Sequence, residues 1–128
     1  MRLLSLLVLV IISGCATPSG PLATLPMGNP IGAHYNLEGI QFYNQEKWEE
    51  AKEKFERALQ VDDTIAEVHF NLALSLHKLG RHEEAKKEFQ RAGELLPDSK
   101  QIVETAVYRN HLGIASTFER HISGGYRY

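Results

Sequence analysis

The chain has 128 residues, of which 43% are hydrophobic, 23% charged and 9% aromatic, a composition that fits one folded domain and excludes a collagen-like or wholly disordered chain. Lys and Arg number 14 against 16 Asp and Glu, a net charge of -2, so there is no basic footprint for a nucleic acid and no polyacidic tail. Ten hydrophobic residues fall within the first twelve positions, which leaves a modest core for the rest.

The N-terminus reads as an address. One basic residue, Arg2, precedes the apolar run Leu3-Leu4-Ser5-Leu6-Leu7-Val8-Leu9-Val10-Ile11-Ile12, the layout of a secretory signal over residues 1–14. The run is about half of the roughly 20 apolar residues a spanning helix needs. It ends in Ile12-Ser13-Gly14-Cys15, which resembles the bacterial lipobox: an aliphatic residue, two small ones and a Cys that is lipidated and becomes the mature N-terminus. Cys15 is the only cysteine, so an intramolecular disulfide is excluded and the thiol is assigned to the anchor, a diacylglycerol with an acyl chain. Several chains on one residue hold firmly where one holds marginally. After cleavage 13 basic residues face 16 acidic ones, so lipid and not charge must supply membrane attachment. Ala16 follows the Cys, which by resemblance implies sorting to the outer membrane, facing the periplasm.

Residues 15–31 form the lipidated Cys and a tether. Positions 16–31 hold four of the five prolines and no charge, a composition expected to serve as a flexible leash.

A period of 34 organises residues 32–113. Shifting the chain by 34 superimposes Glu49-Glu50-Ala51-Lys52 on Glu83-Glu84-Ala85-Lys86, Phe55 on Phe89 and Arg57-Ala58 on Arg91-Ala92, seven identities in 34 positions; Gly39 meets Ala73, Phe42 meets Leu76 and Lys47 meets Arg81. Trp48, Ala51, Phe55, Ala58 and Leu59 step by three and four, as do Val68, Leu72, Leu76 and Leu79, the spacing of amphipathic helices. Asp62-Asp63-Thr64 offers caps for a helix from about Ile65, and Gly80 ends it before a second helix from about His82. Each repeat, 32–65 and 66–99, is a helical hairpin.

In the second unit, Asn71-Leu72-Ala73, Leu76, Gly80, Ala85, Phe89, Ala92 and Pro97 resemble the tetratricopeptide repeat. The first unit follows with Tyr35, Gly39, Phe42, Trp48, Ala51, Phe55 and Ala58, but carries Glu38 where a Leu is usual and Asp63 in place of the closing Pro. Tyr35-Asn36-Leu37 also imitates a helix start one position later. The expected fold is all-α: a short α-solenoid of two hairpins with a C-terminal capping helix over residues 99–112, which keeps the last apolar face from water. Two repeats fall short of the three usually wanted for a stable stack, so the cap and tail must bury enough area or the domain pairs with a copy; a monomer is favoured. Residues 114–128 form a tail without a clear period.

Six histidines, His34, His69, His77, His82, His111 and His121, show no pair at i and i+4 and no His-Glu-x-x-His, so they read as surface or packing residues and no metal site is assigned. A single Cys excludes Cys-Cys zinc sites and c-type haem attachment. With no glycine-rich phosphate loop and no nucleophile elbow, no catalytic residue and no cofactor beyond the lipid is expected.

The resemblance implies binding instead, because in such arrays the first helix of each hairpin lines a concave groove that holds peptides or partner helices. That face would present Asn36, Ile40, Tyr43 and Asn44, then Phe70, Leu74, His77 and Lys78, then Gln101, Glu104 and Tyr108 from the cap. Aromatic anchors with amides addressing backbone suit an extended segment. The expected function is a membrane-anchored, non-catalytic scaffold for another envelope protein, with no nucleic acid involved. The competing expectation is a structural, self-associating lipoprotein whose groove is covered by its own tail.

Overall fold

A computed structural model describes residues 20–24 and 29–114. The segment expected to be a signal, Cys15 and the tail from residue 115 lie outside the described residues. The described residues form six helices in the order α1 (Pro30–Asn44), α2 (Trp48–Val61), α3 (Ala66–Lys78), α4 (His82–Leu95), α5 (Lys100–Val103) and α6 (Ala106–His111). No helix among them is long and apolar enough to cross a membrane.

α1 starts earlier than the tether reading places it. The Asn29 side chain accepts from the Ile31 amide at 2.9 Å, and Pro30 occupies the first helical turn, where its fixed φ suits the helix and its missing N–H is not needed. Pro30 and Ile31 therefore belong to the domain.

The 34-residue period is built into the hairpin turns. The Lys47 amide donates to the Phe42 carbonyl at 3.0 Å, and 34 residues on the Arg81 amide donates to the Leu76 carbonyl at 2.9 Å. Each turn passes through left-handed backbone, at Glu46 (φ 61°) in the first hairpin and Gly80 (φ 75°) in the second. Glycine adopts that conformation freely, whereas a residue with a Cβ pays about 1–2 kcal/mol there, so the first repeat carries a local strain that the second avoids. Between the hairpins the expected cap takes another form: Asp62 Oδ1 accepts from the Thr64 amide at 3.0 Å and from its hydroxyl at 2.6 Å, closing a turn ahead of α3.

The capping element is two short helices, not one helix over residues 99–112. Thr105 makes the break, its Oγ1 donating to the Ile102 carbonyl at 2.8 Å while also accepting from the Tyr108 amide at 3.4 Å. One side chain thus ends α5 and starts α6. The second piece still covers the last hairpin, with Tyr108 edge-on to Phe89 at 6.0 Å between ring centroids.

α3 is the central helix. It packs against α1, α2 and α4, and consequently every residue from Val68 to Leu76 is buried. Phe55, Phe70 and Phe89 are fully enclosed, alongside Ala51, Ala58, Ala73, Ala85 and Ala92. These small residues let backbones approach while the rings fill the space between helices.

One buried ionic contact ties α3 to α4 and to the preceding turn. His69 is 7% exposed, with Nδ1 2.6 Å from Glu88 Oε2 and Nε2 2.8 Å from the Asp63 carbonyl. Both partners are acceptors, so only the imidazolium donates to both. Burial disfavours that charge, but the hydrogen bonds to Glu88 and Asp63 and the Glu88 carboxylate outweigh it and raise the His69 pKa above its ordinary value of 6.5. A raised folded-state pKa means stability fully present below the unfolded value and lost as pH climbs through the folded one. Urea unfolding should show the protein losing stability between about pH 6.5 and the raised value, by an amount on the order of 1.5–3 kcal/mol at most for a charged hydrogen bond. His69→Gln should flatten that portion of the pH profile; an unchanged slope would exclude His69 as its source.

Candidate functional site

Two helical stripes face each other across the α1–α3 seam. On α1, Asn36, Ile40 and Tyr43 recur at i, i+4 and i+7; on α3, Asn71 and Lys78 stand at i and i+7. This spacing puts each set on one helix face. The stripes are joined by a side-chain hydrogen bond, Asn71 Nδ2 donating to Asn36 Oδ1 at 2.8 Å, and both amides are fully buried.

What buries them is the chain's own N-terminal segment. Leu22 donates its amide N–H to Asn71 Oδ1 at 2.6 Å, and its carbonyl accepts from Asn71 Nδ2 at 2.7 Å and from Asn36 Nδ2 at 3.2 Å. Its side chain, 8% exposed, joins the hydrophobic core. The orientation of the network follows from donor and acceptor count. The Leu22 N–H demands an oxygen, which fixes the Asn71 amide; that places Asn71 Nδ2 toward two oxygens, one from Leu22 and one from Asn36; and Asn36 is left with its own Nδ2 for the same Leu22 carbonyl. Both backbone groups of one residue are thereby satisfied by side chains, with no demand on the identity of its neighbours. This is how a groove reads extended backbone.

The other end of the stripes closes on aromatic rings. Tyr43 meets Trp48 edge-on at 4.8 Å, and Lys78 Nζ lies 5.4 Å from the centroid of the Trp48 ring. Burial raises the Tyr43 pKa above its ordinary value, so the phenol stays neutral.

The residues expected to line the groove meet different fates. Asn36 meets the occupying segment, while Ile40 and Tyr43 are half-buried on the same stripe; Asn44, Lys78 and Gln101 are exposed. Phe70, Leu74 and Tyr108 are corrected to core positions, at 0%, 2% and 7% exposure. Phe70 turns inward onto Phe89 at 5.6 Å, and Tyr108 lies over Gly93 and Phe89, because a two-repeat stack has too little interior to leave such rings outside. Glu104 is exposed and ends α5. His77 departs from the groove and joins His82 and His111, three histidines that sequence spacing keeps apart and that the α3–α4 turn and the docked α6 bring together. Sequence reasoning overlooked Asn71 and Leu22 as groove participants. Asn36 and Asn71 are 35 residues apart, one off the period, so the register of Tyr35-Asn36-Leu37 against Phe70-Asn71-Leu72 is the signal that pairs them.

Comparison with known proteins bears on the same residues. The tetratricopeptide repeat model matches residues 66–99, and a second model described as TPR repeat matches residues 39–80. The chain is a tetratricopeptide-repeat protein. A protein of Methanocaldococcus jannaschii, described only as uncharacterized, is 36% identical over 58 residues, which cover 45% of this chain and 67% of that relative. Tetratricopeptide repeats are protein-interaction modules and are typically non-catalytic scaffolds. In this tetratricopeptide-repeat protein the helix that carries Asn71 lies inside both matched spans, so the amide that holds Leu22 stands in the repeat itself.

Proposed function

We propose that the chain is a lipid-anchored, non-catalytic scaffold of the bacterial cell envelope whose groove takes an extended segment of another envelope protein, and that its own residues 20–24 occupy the groove as a displaceable stand-in. The observation that carries this reading is the double capture of the Leu22 backbone by Asn36 and Asn71. Anchoring is supported by Ile12-Ser13-Gly14-Cys15 behind a short apolar run, and the outer membrane, periplasmic side, by Ala16.

Energetics favour displacement. Burying one leucine contributes about 1.5–3 kcal/mol, and three hydrogen bonds about 0.5–1.5 kcal/mol each. Ordering five residues costs about 1–2 kcal/mol apiece. Gain and cost nearly cancel, so self-occupation is marginal and a partner segment displaces it once its added anchors outweigh the cost of association. Release also changes reach: from Cys15 to a seated Leu22 the chain extends at most roughly 25 Å, whereas from Cys15 to Asn29 it extends to roughly 50 Å. Partner capture would therefore free the domain to move further from the lipid surface.

The test is photo-crosslinking in cells from position 43 of the full chain. One recurrent envelope protein should be captured, more strongly in Leu22→Asp, which disfavours self-occupation, and not in the Asn36→Ala/Asn71→Ala double variant. Cys15→Ser should move the protein out of the membrane fraction. Adducts only to a second copy would replace the scaffold reading with self-assembly, and membrane retention of Cys15→Ser would remove the lipid anchor.

A further inference from the structure

The two repeats differ at one pair of packing positions in a way that changes their chemistry. In the first hairpin Tyr43 and Trp48 meet across the turn with ring centroids 4.8 Å apart. Thirty-four residues on, the same two places hold His77 and His82, with centroids 5.3 Å apart. A third imidazole, His111 at the end of α6, stands 4.9 Å from His77 and 5.6 Å from His82. Packing alone is served by the tyrosine and tryptophan of the first repeat. Three imidazoles in place of such a pair bring three nitrogen lone pairs together.

We propose that His77, His82 and His111 bind one divalent transition-metal ion of the zinc class. This proposal is independent of the groove and of its occupant. One ring nitrogen from each histidine can be chosen so that all three lie within 4.8 Å of one another. His82 Nδ1 and His111 Nε2 are 3.4 Å apart, which is about the separation of two nitrogens bound at 2.0–2.1 Å to one tetrahedral ion. His111 is already in the required tautomer: its Nδ1 lies 2.9 Å from the Val107 carbonyl, an acceptor only, so Nδ1 carries the proton and Nε2 offers a lone pair. That backbone contact is the outer-shell support characteristic of metal-bound histidines. His77 holds its Nδ1 buried with no hydrogen-bond partner, a cost with no return in a site that serves packing alone.

Burial first, then the neighbouring His111, His82 and Lys78, lowers the His77 pKa below its ordinary value, the direction that favours the ring form with one nitrogen lone pair. Glu83, Lys86 and Asn110 line the same cleft, which leaves a side open to solvent for a fourth ligand such as water. Three neutral nitrogen donors suit Zn2+ and its neighbours and suit Ca2+ or Mg2+ poorly, since those prefer oxygen. A bound ion would clamp the α3–α4 turn to α6, fastening the short cap that closes the stack.

The experiment is calorimetric titration of the full chain, prepared without a polyhistidine tag, with Zn2+, paired with thermal unfolding with and without the ion. One equivalent should bind and raise Tm. His82→Asn, His111→Asn and the ring-preserving His77→Phe should each weaken binding at least tenfold and abolish the rise in Tm. Exposed His34, on α1 and away from the cluster, provides the control: His34→Asn should leave both unchanged. His82 lies at the surface, so His82→Asn should keep the metal-free Tm of the parent and separate lost binding from lost folding. No uptake by the parent at 1 mM Zn2+, a concentration far above that of a built site, would overturn the proposal, as would uptake that survives all three substitutions.

Discussion

Phe89→Ala is expected to lower stability by about 3–5 kcal/mol, the range for removing a large buried ring. Phe89 is fully buried and sits where three elements converge: Phe70 of α3 at 5.6 Å, Tyr108 of α6 at 6.0 Å and His111 at 5.0 Å between ring centroids. Truncation opens a cavity between α3 and α4 and withdraws the ring on which α6 rests. The surroundings cannot collapse into it cheaply, because Ala85 and Ala92 on the same helix are already at zero exposure. With about 4–8 °C of Tm per kcal/mol for a domain of this size, the variant should melt at least ten degrees lower, and a marginal two-repeat fold would be largely unfolded at 37 °C. Circular dichroism with heat and urea measures this directly; a loss under about 1 kcal/mol would mean that the second hairpin and α6 do not share one core. Phe89→Leu keeps most of the volume and should cost much less.

The hairpins were legible because their packing repeats locally. Phe55 and Phe89, Ala51 and Ala85, Ala58 and Ala92 stand at the same places in each unit, and short-range periodicity encodes short-range geometry. The Leu22 contact was not legible for the converse reason. Its segment has no period, no charge and one large apolar residue, and the amides that hold it lie 14 and 49 residues away in the chain. The break at Thr105 was hidden because the apolar spacing of Ile102, Val103 and Val107 continues a helical pattern through it, while a single hydroxyl decides where one helix stops and the next starts. Groove membership was misassigned for Phe70, Leu74 and Tyr108 because a face that is concave in a long array is interior in a short one. The histidine cluster was missed because spacing rules for metal ligands address one helix or one loop, and His77, His82 and His111 come from two helix ends and a cap.

Gly39→Ala is expected to destabilise the domain even though the same change in an exposed helix gains about 0.5–1 kcal/mol. An added Cβ would stand 2.5, 2.6 and 2.9 Å from Cε1, Cδ1 and Cζ of Phe55, separations that side chains do not tolerate. Phe55 has no exposed surface and three of its ring atoms share the collision, so the ring cannot swing aside without displacing α2. Overpacking of this kind costs typically about 1–3 kcal/mol, enough to reverse the propensity gain. Gly93 offers the internal comparison: there the added methyl would run into the Tyr108 hydroxyl, the far end of a side chain carried by the six-residue α6, which can lift at lower cost than α2 can move. Gly39→Ala should therefore shift the whole unfolding transition, whereas Gly93→Ala should loosen the cap first and weaken zinc binding through His111. A double-mutant cycle decides whether the Phe55 ring is the cause. Phe55→Leu makes room, so in its presence Gly39→Ala should cost at least about 0.5 kcal/mol less than alone, the lower range of coupling between touching residues. Strict additivity would place the strain elsewhere along α1.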